Sequence, residues 1–162
     1  MRYSLDKINK IINHKKFSKY MDLNREYEVE RIFCHHDIVH LLDVSRIAYI
    51  MNLENHYGLE KQIIYACGLL HDIGRWKQYE EGSDHAEVSS ELANGILTDC
   101  GFSPEDIYLI QRAIKYHRKK NHPDLLSEII YRADKLSRYC CDCKGKNQCK
   151  RFTDKMDFSL EY

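Results

Sequence analysis

The chain has 162 residues, enough to bury one sizeable core, and its 25 Lys plus Arg balance 25 Asp plus Glu, so no global field draws it to nucleic acid or an anionic membrane. Hydrophobic residues make up 43%, which excludes a disordered chain, and two Pro with seven Gly leave few breaks between long periodic segments. The longest apolar run, about Ile63 to Leu70, is far short of the ~20 residues of a membrane span, which predicts a soluble protein.

Along the chain, periodicity and caps predict six or seven helices, and no segment shows clean period-two alternation. The expected fold is all-α. Met1 to Lys10 mixes charged with apolar residues and lacks the apolar core of a signal peptide, so a cytoplasmic location is expected. A first helix is expected from Leu5 to Tyr20, a second from Asn24 to Phe33 and a third from Asp37 to Leu53, before the turn-prone Asn55-His56-Tyr57-Gly58. A fourth spans Glu60 to Ile73 and stops at Gly74. The segment from Arg75 to Ser83 is expected to be a loop. Asp84-His85-Ala86-Glu87 has capping-box spacing and opens a fifth helix to Leu97. Ser103-Pro104-Glu105-Asp106 opens a sixth with an N-cap, a Pro at the first helical position and acidic residues facing the dipole. His117 to Lys120 close it. The last helix covers Asp124 to Arg138, so that residues 1–138 form a helical domain and residues 139–162 a Cys-rich tail.

The informative feature is polar residues on apolar faces. His40 shares a stripe with Val44, Ile47, Ala48 and Met51; His71 follows Ile64 and Cys67, and Asp72 follows Tyr65 and Leu69 at helical spacing. His85 leads into Val88, Leu92 and Ile96, His117 ends the row Ile107, Ile110, Ile114, and Asp134 follows Ile130. A single inward histidine is most often satisfied by a backbone carbonyl. Two inward carboxylates with four inward imidazoles are another matter, because an uncompensated buried carboxylate costs several kcal/mol. A divalent cation such as Mn, Fe, Co, Ni or Zn resolves the conflict. Six donors exceed the need of one open site, which points to two metals with Asp72 as the candidate bridge.

Gly68-Leu69-Leu70-His71-Asp72-Ile73-Gly74 resembles the signature of the HD-domain superfamily of metal-dependent phosphohydrolases. His40 to Ala48 is similar to that family's first-histidine helix, and Tyr131-Arg132-Ala133-Asp134-Lys135-Leu136 to its closing segment. The resemblance implies His40, His71, Asp72 and Asp134 as primary ligands, and His85 with His117 as ligands of a second metal. A second dipeptide, His36-Asp37, lies one turn before His40. Asp37 reads as an N-cap and His36 as a residue beside the ligands or on the substrate side. His14, His35, His56 and His122 read as surface residues.

Metal-activated water suits phosphate-ester hydrolysis, and cations must then hold the phosphate. Arg75 is the best placed, with Lys77 nearby and Arg118, Lys119 and Lys120 as a second source; Lys135 stands beside Asp134 to neutralise it or touch substrate. Asp72, Arg75 and Lys135 are thus the candidate catalytic residues. Trp76 and Tyr79 are candidates to stack on a base, so the expected partner is a small phosphorylated substrate, a nucleotide. Some relatives bind two irons and use oxygen, and a non-catalytic metal or nucleotide sensor shares the same ligand set. In the tail, Cys140, Cys141, Cys143 and Cys149 provide a candidate second metal site for Zn or an iron–sulfur cluster, weighed against free thiols. Lys144, Lys146, Lys150 and Arg151 surround it, but a short segment without repeated aromatics in a neutral protein argues against nucleic acid.

Overall fold

A computed structural model describes residues 5–149 and 160–162. Among them are eight α-helices and no strand: α1 (Asp6–Ile12), α2 (Lys15–Glu28), α3 (Ile38–Glu54), α4 (Lys61–Leu70), α5 (Arg75–Glu81), α6 (His85–Asp99), α7 (Pro104–Tyr116) and α8 (Leu125–Leu136). Two 3-10 turns, Cys140–Asp142 and Lys146–Gln148, follow. Lys150 and Arg151 lie outside the described residues. No described helix is long and apolar enough to cross a membrane.

Four helix starts follow from their caps. Asp37, Asp84, Ser103 and Asp124 each accept a backbone N–H of the first turn, satisfying donors that have no intrahelical partner. The helix expected from Leu5 to Tyr20 is broken instead at Asn13 and His14. The Asn13 side chain donates to Asn9 O at 2.7 Å, and His14 turns extended to accept from Lys16 N, so side chains compete with the backbone ladder. In consequence α2 begins early and ends at Glu28, not Phe33. Residues 75–83, expected as a loop, hold α5, whose good helix formers are tied by a Lys77–Glu81 pair at 3.2 Å and closed by Gly82 in the left-handed region.

The apolar helix α4 packs against α3, α7, α1, α6 and α8, and its Ile64, Cys67, Leu69 and Leu70 are wholly buried. Such burial on every side explains its continuous apolar sequence. Gly68 lets α3 approach: a Cβ there would stand 2.9 Å from the Ser45 Cα. The carboxyl end of α4 is thereby fixed against α3, and the chain turns there. His71 and Asp72 lie in this turn, with Arg75 N donating to Asp72 O at 3.0 Å and Gly74 N to Ser89 Oγ at 2.9 Å. The fourth helix therefore ends three residues earlier than its periodicity predicts, and the polar pair sits where the chain reverses.

Candidate metal centre

Four helices and the α4–α5 turn deliver six side chains to one buried point. His40 comes from the first turn of α3, His85 from the first of α6, His117 from the end of α7, and Asp134 from the last turn of α8. His71 is wholly buried and Asp72 is 3% exposed. One potential ligand atom from each of His40, His71, Asp72 and Asp134 lies within 4.8 Å of the others, and Asp72, His85 and His117 form a second such group.

The histidines are oriented from behind. His71 Nδ1 donates to Gly68 O at 2.7 Å, His117 Nδ1 to Ile114 O at 2.6 Å, His85 Nδ1 to Gln78 Oε1 at 2.6 Å, and His40 Nδ1 to Ser137 Oγ at 3.3 Å. Each Nε2 is left facing the centre, the arrangement that outer hydrogen bonds impose on metal-binding imidazoles. Asp72 faces both groups. Its Oδ2 stands 3.2 Å from His71 Nε2 and 3.6 Å from His40 Nε2, and its Oδ1 stands 3.1 Å from His85 Nε2 and 3.6 Å from His117 Nε2. Asp134 Oδ1 lies 3.5 Å from His40 Nε2.

The buried atoms His40 Nε2, His71 Nε2 and Asp72 Oδ1 make no hydrogen bond. Buried polar atoms left so are rare and costly, and these three converge with carboxylate and imidazole donors that suit a divalent transition metal. The residues present therefore fit the group that the cluster implies. Electrostatics agree. Burial would raise the Asp72 carboxyl, but His71 and His36 beside it hold it well below the usual carboxylate range. Burial likewise opposes ionisation of Asp134, yet His71 and then Arg138 keep it low. Burial lowers His85 to about 4, so its imidazole is neutral near pH 7, the form that binds a metal.

A cavity of about 390 Å³ opens on the cluster, bounded by His36, His40, Arg75 and Asp134 on one side and by Cys140, Cys143 and Cys149 of the tail on the other. Arg31, Phe33, Cys34, Arg138, Lys146 and Gln148 complete its wall. Arg75, expected here, does line it, and its Nη1 lies 2.9 Å from His85 Nδ1 and 3.0 Å from His85 Nε2. Arg31, Arg138 and Lys146 are additional cations. Lys77 is engaged with Glu81 and lies over Trp76, while Arg118 faces Asp84 at 3.7 Å; neither lines the cavity. Lys119 and Lys120 are exposed away from it. Lys135 also lies outside the cavity wall; its Nζ sits 3.8 Å from Asp134 Oδ2 and over the Tyr131 ring. The two expected stacking aromatics do not line the cavity. Tyr79 is held between Arg75 and Glu28, and Trp76 N donates to Asn24 Oδ1, so Phe33 is the aromatic that reaches the cavity.

His36 lies beside the cluster, as expected, with Nε2 3.8 Å from Asp72 Oδ2. Its Nδ1 donates to Glu28, which also accepts His36 N at 2.8 Å and Tyr79 Oη at 2.8 Å. Of the four histidines expected at the surface, His35 and His56 are exposed, whereas His14 is half-buried against Asp99 and His122 packs on Tyr131. Asn24 and Glu28 are absent from the expected site, although both are nearly fully buried. They continue the stripe Phe17, Met21, Asn24, Glu28 along α2, a signal hidden when that helix is divided between Tyr20 and Asn24. In the tail, Cys141 is exposed and does not line the cavity, whereas Cys34, which sequence spacing does not connect to the tail, does.

The fold and cluster define an all-helical class built around a buried His/Asp site with the donor set of a divalent metal. Residues 37–139 match the HD domain, and the chain belongs to that family. It is 39% identical to an uncharacterized protein of Clostridium beijerinckii over 98% of this chain and 100% of that one. Two proteins named ribonuclease Y, from a Sulfurovum species and Enterococcus faecalis, are each 28% identical over 62% and 60% of this chain. The match spans only 18% and 17% of their lengths. A crystal structure of a predicted HD superfamily hydrolase from an uncultured Thermotogales bacterium superposes with a TM-score of 0.62 and 28% identity, covering 75% of this chain and 66% of that one.

Proposed function

We propose that the protein is a metal-dependent phosphohydrolase acting on a phosphate ester or anhydride of a small phosphorylated molecule, with a nucleotide as the preferred class. His40, His71, Asp72 and Asp134 would hold one metal, and Asp72, His85 and His117 a second, drawn from Fe, Mn, Zn, Co or Ni. The observation that carries this reading is the cavity that His40 and Asp134 of the cluster share with Arg31, Arg75 and Arg138, with the orphaned atoms of His71 and Asp72 buried in the same cluster. Bound metals of this kind lower the pKa of a coordinated water and offset charge on a phosphoryl oxygen.

The chain's own residues supply the rest. Arg75 and Arg31 offer planar guanidinium donors to phosphate oxygens, which neither Lys77 nor Lys135 is placed to do. Arg138 donates to Asp134 Oδ2 at 3.1 Å, orienting that carboxylate while presenting charge to the cavity. Lys135 balances the charge of Asp134 outside the cavity. The name of the ribonuclease Y relatives supports phosphodiester chemistry, and that of the Thermotogales structure supports hydrolysis.

The test is anaerobic purification with metal counting, followed by phosphomonoester and phosphodiester screens on wild type and Asp72→Asn. Metal-dependent hydrolysis, releasing phosphate from a monoester or anhydride or a monoester and an alcohol from a diester, is expected and should be absent from the variant. Metal-dependent oxygen consumption with no hydrolysis of either kind would overturn the reading in favour of di-iron oxidation.

A further inference from the structure

The segment from Cys140 to Cys149 is held in a defined place by very little apolar contact. Neither of its 3-10 turns buries a residue, yet Gly145 between them is buried, with the position of its missing Cβ 2.8 Å from Ile32 O and 3.1 Å from the Phe33 ring. The tail is thus pressed on the α2–α3 connection, where Arg31 Nε donates to Cys34 O at 2.8 Å. At this contact Cys34 meets the tail cysteines: Cys34, Cys140, Cys143 and Cys149 line one cavity, and Cys34, Cys140 and Cys143 also line the neighbouring one. All four are free thiols. The two turns place them regularly, with Cys143 N donating to Cys140 O and Cys149 N to Lys146 O.

We infer that Cys34, Cys140, Cys143 and Cys149 form a tetrathiolate site for a soft metal centre, a zinc ion or an iron–sulfur cluster, that staples the tail to the α2–α3 connection. Four thiols lining one cavity offer a soft donor set, and a cation bound among them takes them as thiolates while the four thiol protons leave to solvent. A short segment without a core of its own commonly needs such a staple. Cys141 is exposed, lines neither cavity and is the internal control. The staple fixes one wall of the His/Asp cavity, but its existence does not depend on the chemistry performed there.

The test measures zinc, iron and acid-labile sulfide in the full chain purified anaerobically, for wild type, Cys34→Ser, Cys141→Ser and Asp72→Asn. Metal bound at this site is expected to be lost in Cys34→Ser and kept in Cys141→Ser and Asp72→Asn. Zinc without sulfide identifies the ion; iron with matching sulfide and a visible absorption band identifies the cluster. Alkylation of folded wild type with mass-spectrometric readout serves if Cys34→Ser does not fold. Cys34, Cys140, Cys143 and Cys149 should resist until a chelator is added, while Cys141 reacts at once. Unchanged metal in folded Cys34→Ser, or labelling of Cys34 and Cys143 as fast as Cys141, would overturn the assignment.

Discussion

Asn24 clamps the turn that carries Asp72: its Nδ2 donates to Asp72 O at 2.9 Å while its Oδ1 accepts Trp76 N at 2.8 Å. One side chain on α2 thus joins the His71-Asp72 turn to the start of α5. Leucine in its place fills the volume but takes away the partner of Trp76 N and leaves Asp72 O with the Arg75 N bond alone. Asn24→Leu is expected to lower stability by about 1–3 kcal/mol and to weaken metal retention, checked by denaturant melts and metal counting. Wild-type stability in the variant would show that the clamp is incidental.

Asp72 faces both ligand groups, so its two oxygens serve two places at once. Asp72→Asn is expected to deplete metal from both, whereas His85→Ala should deplete chiefly the group that it shares with Asp72 and His117. Metal stoichiometry of the two purified variants decides it. Equal retention in both would contradict a bridging role.

Glu28 links the site to pH. Burial opposes its ionisation, but hydrogen bonds and charge from His36 hold its carboxyl below the ordinary value of about 4.3. A depressed folded pKa contributes stability that is present above the unfolded value and lost as pH falls through the folded one. Glu28→Gln should therefore be less stable than wild type by about 1–3 kcal/mol at neutral pH, with the gap narrowing below about pH 4. Melting temperatures of the metal-free proteins across that range test the sign.

Gly68 faces Ser45 so closely that an added Cβ would lie 2.3 Å from Ser45 Oγ and 2.9 Å from its Cα. The hydroxyl can rotate, but the backbone of α3 cannot yield without moving His40. Gly68→Ala should cost about 1–3 kcal/mol, read as a lower melting temperature, and Ser45→Ala should rescue it only in part. Full rescue would mean that the helix backbones are not in close approach.

Arg31 reaches the cavity without touching the His/Asp cluster. Arg31→Ala is expected to raise KM for a phosphorylated substrate by about ten- to a hundredfold, the worth of a hydrogen bond from a charged group, with metal content unchanged. Steady-state kinetics beside metal analysis make the distinction, and an unaltered KM would remove Arg31 from phosphate binding.

The local sequence determined the all-helical fold, four of the helix starts and the inward histidines and aspartates, because caps and apolar periodicity act over one or two turns. His40, His71, Asp72, His85, His117 and Asp134 were legible as polar intrusions on apolar faces, and the structure brings all six together. Asn24 and Glu28 carry the same signal but were lost with the position of the first helix break, which depends on the Asn13 and His14 side chains competing with the backbone. Arg31, Arg138 and the meeting of Cys34 with the tail had no local signal at all. Those side chains are brought to one cavity only when α2, α3 and α8 are packed. Tertiary structure alone decided them, since contacts between residues a hundred positions apart follow from how helices stack and not from any spacing along the chain.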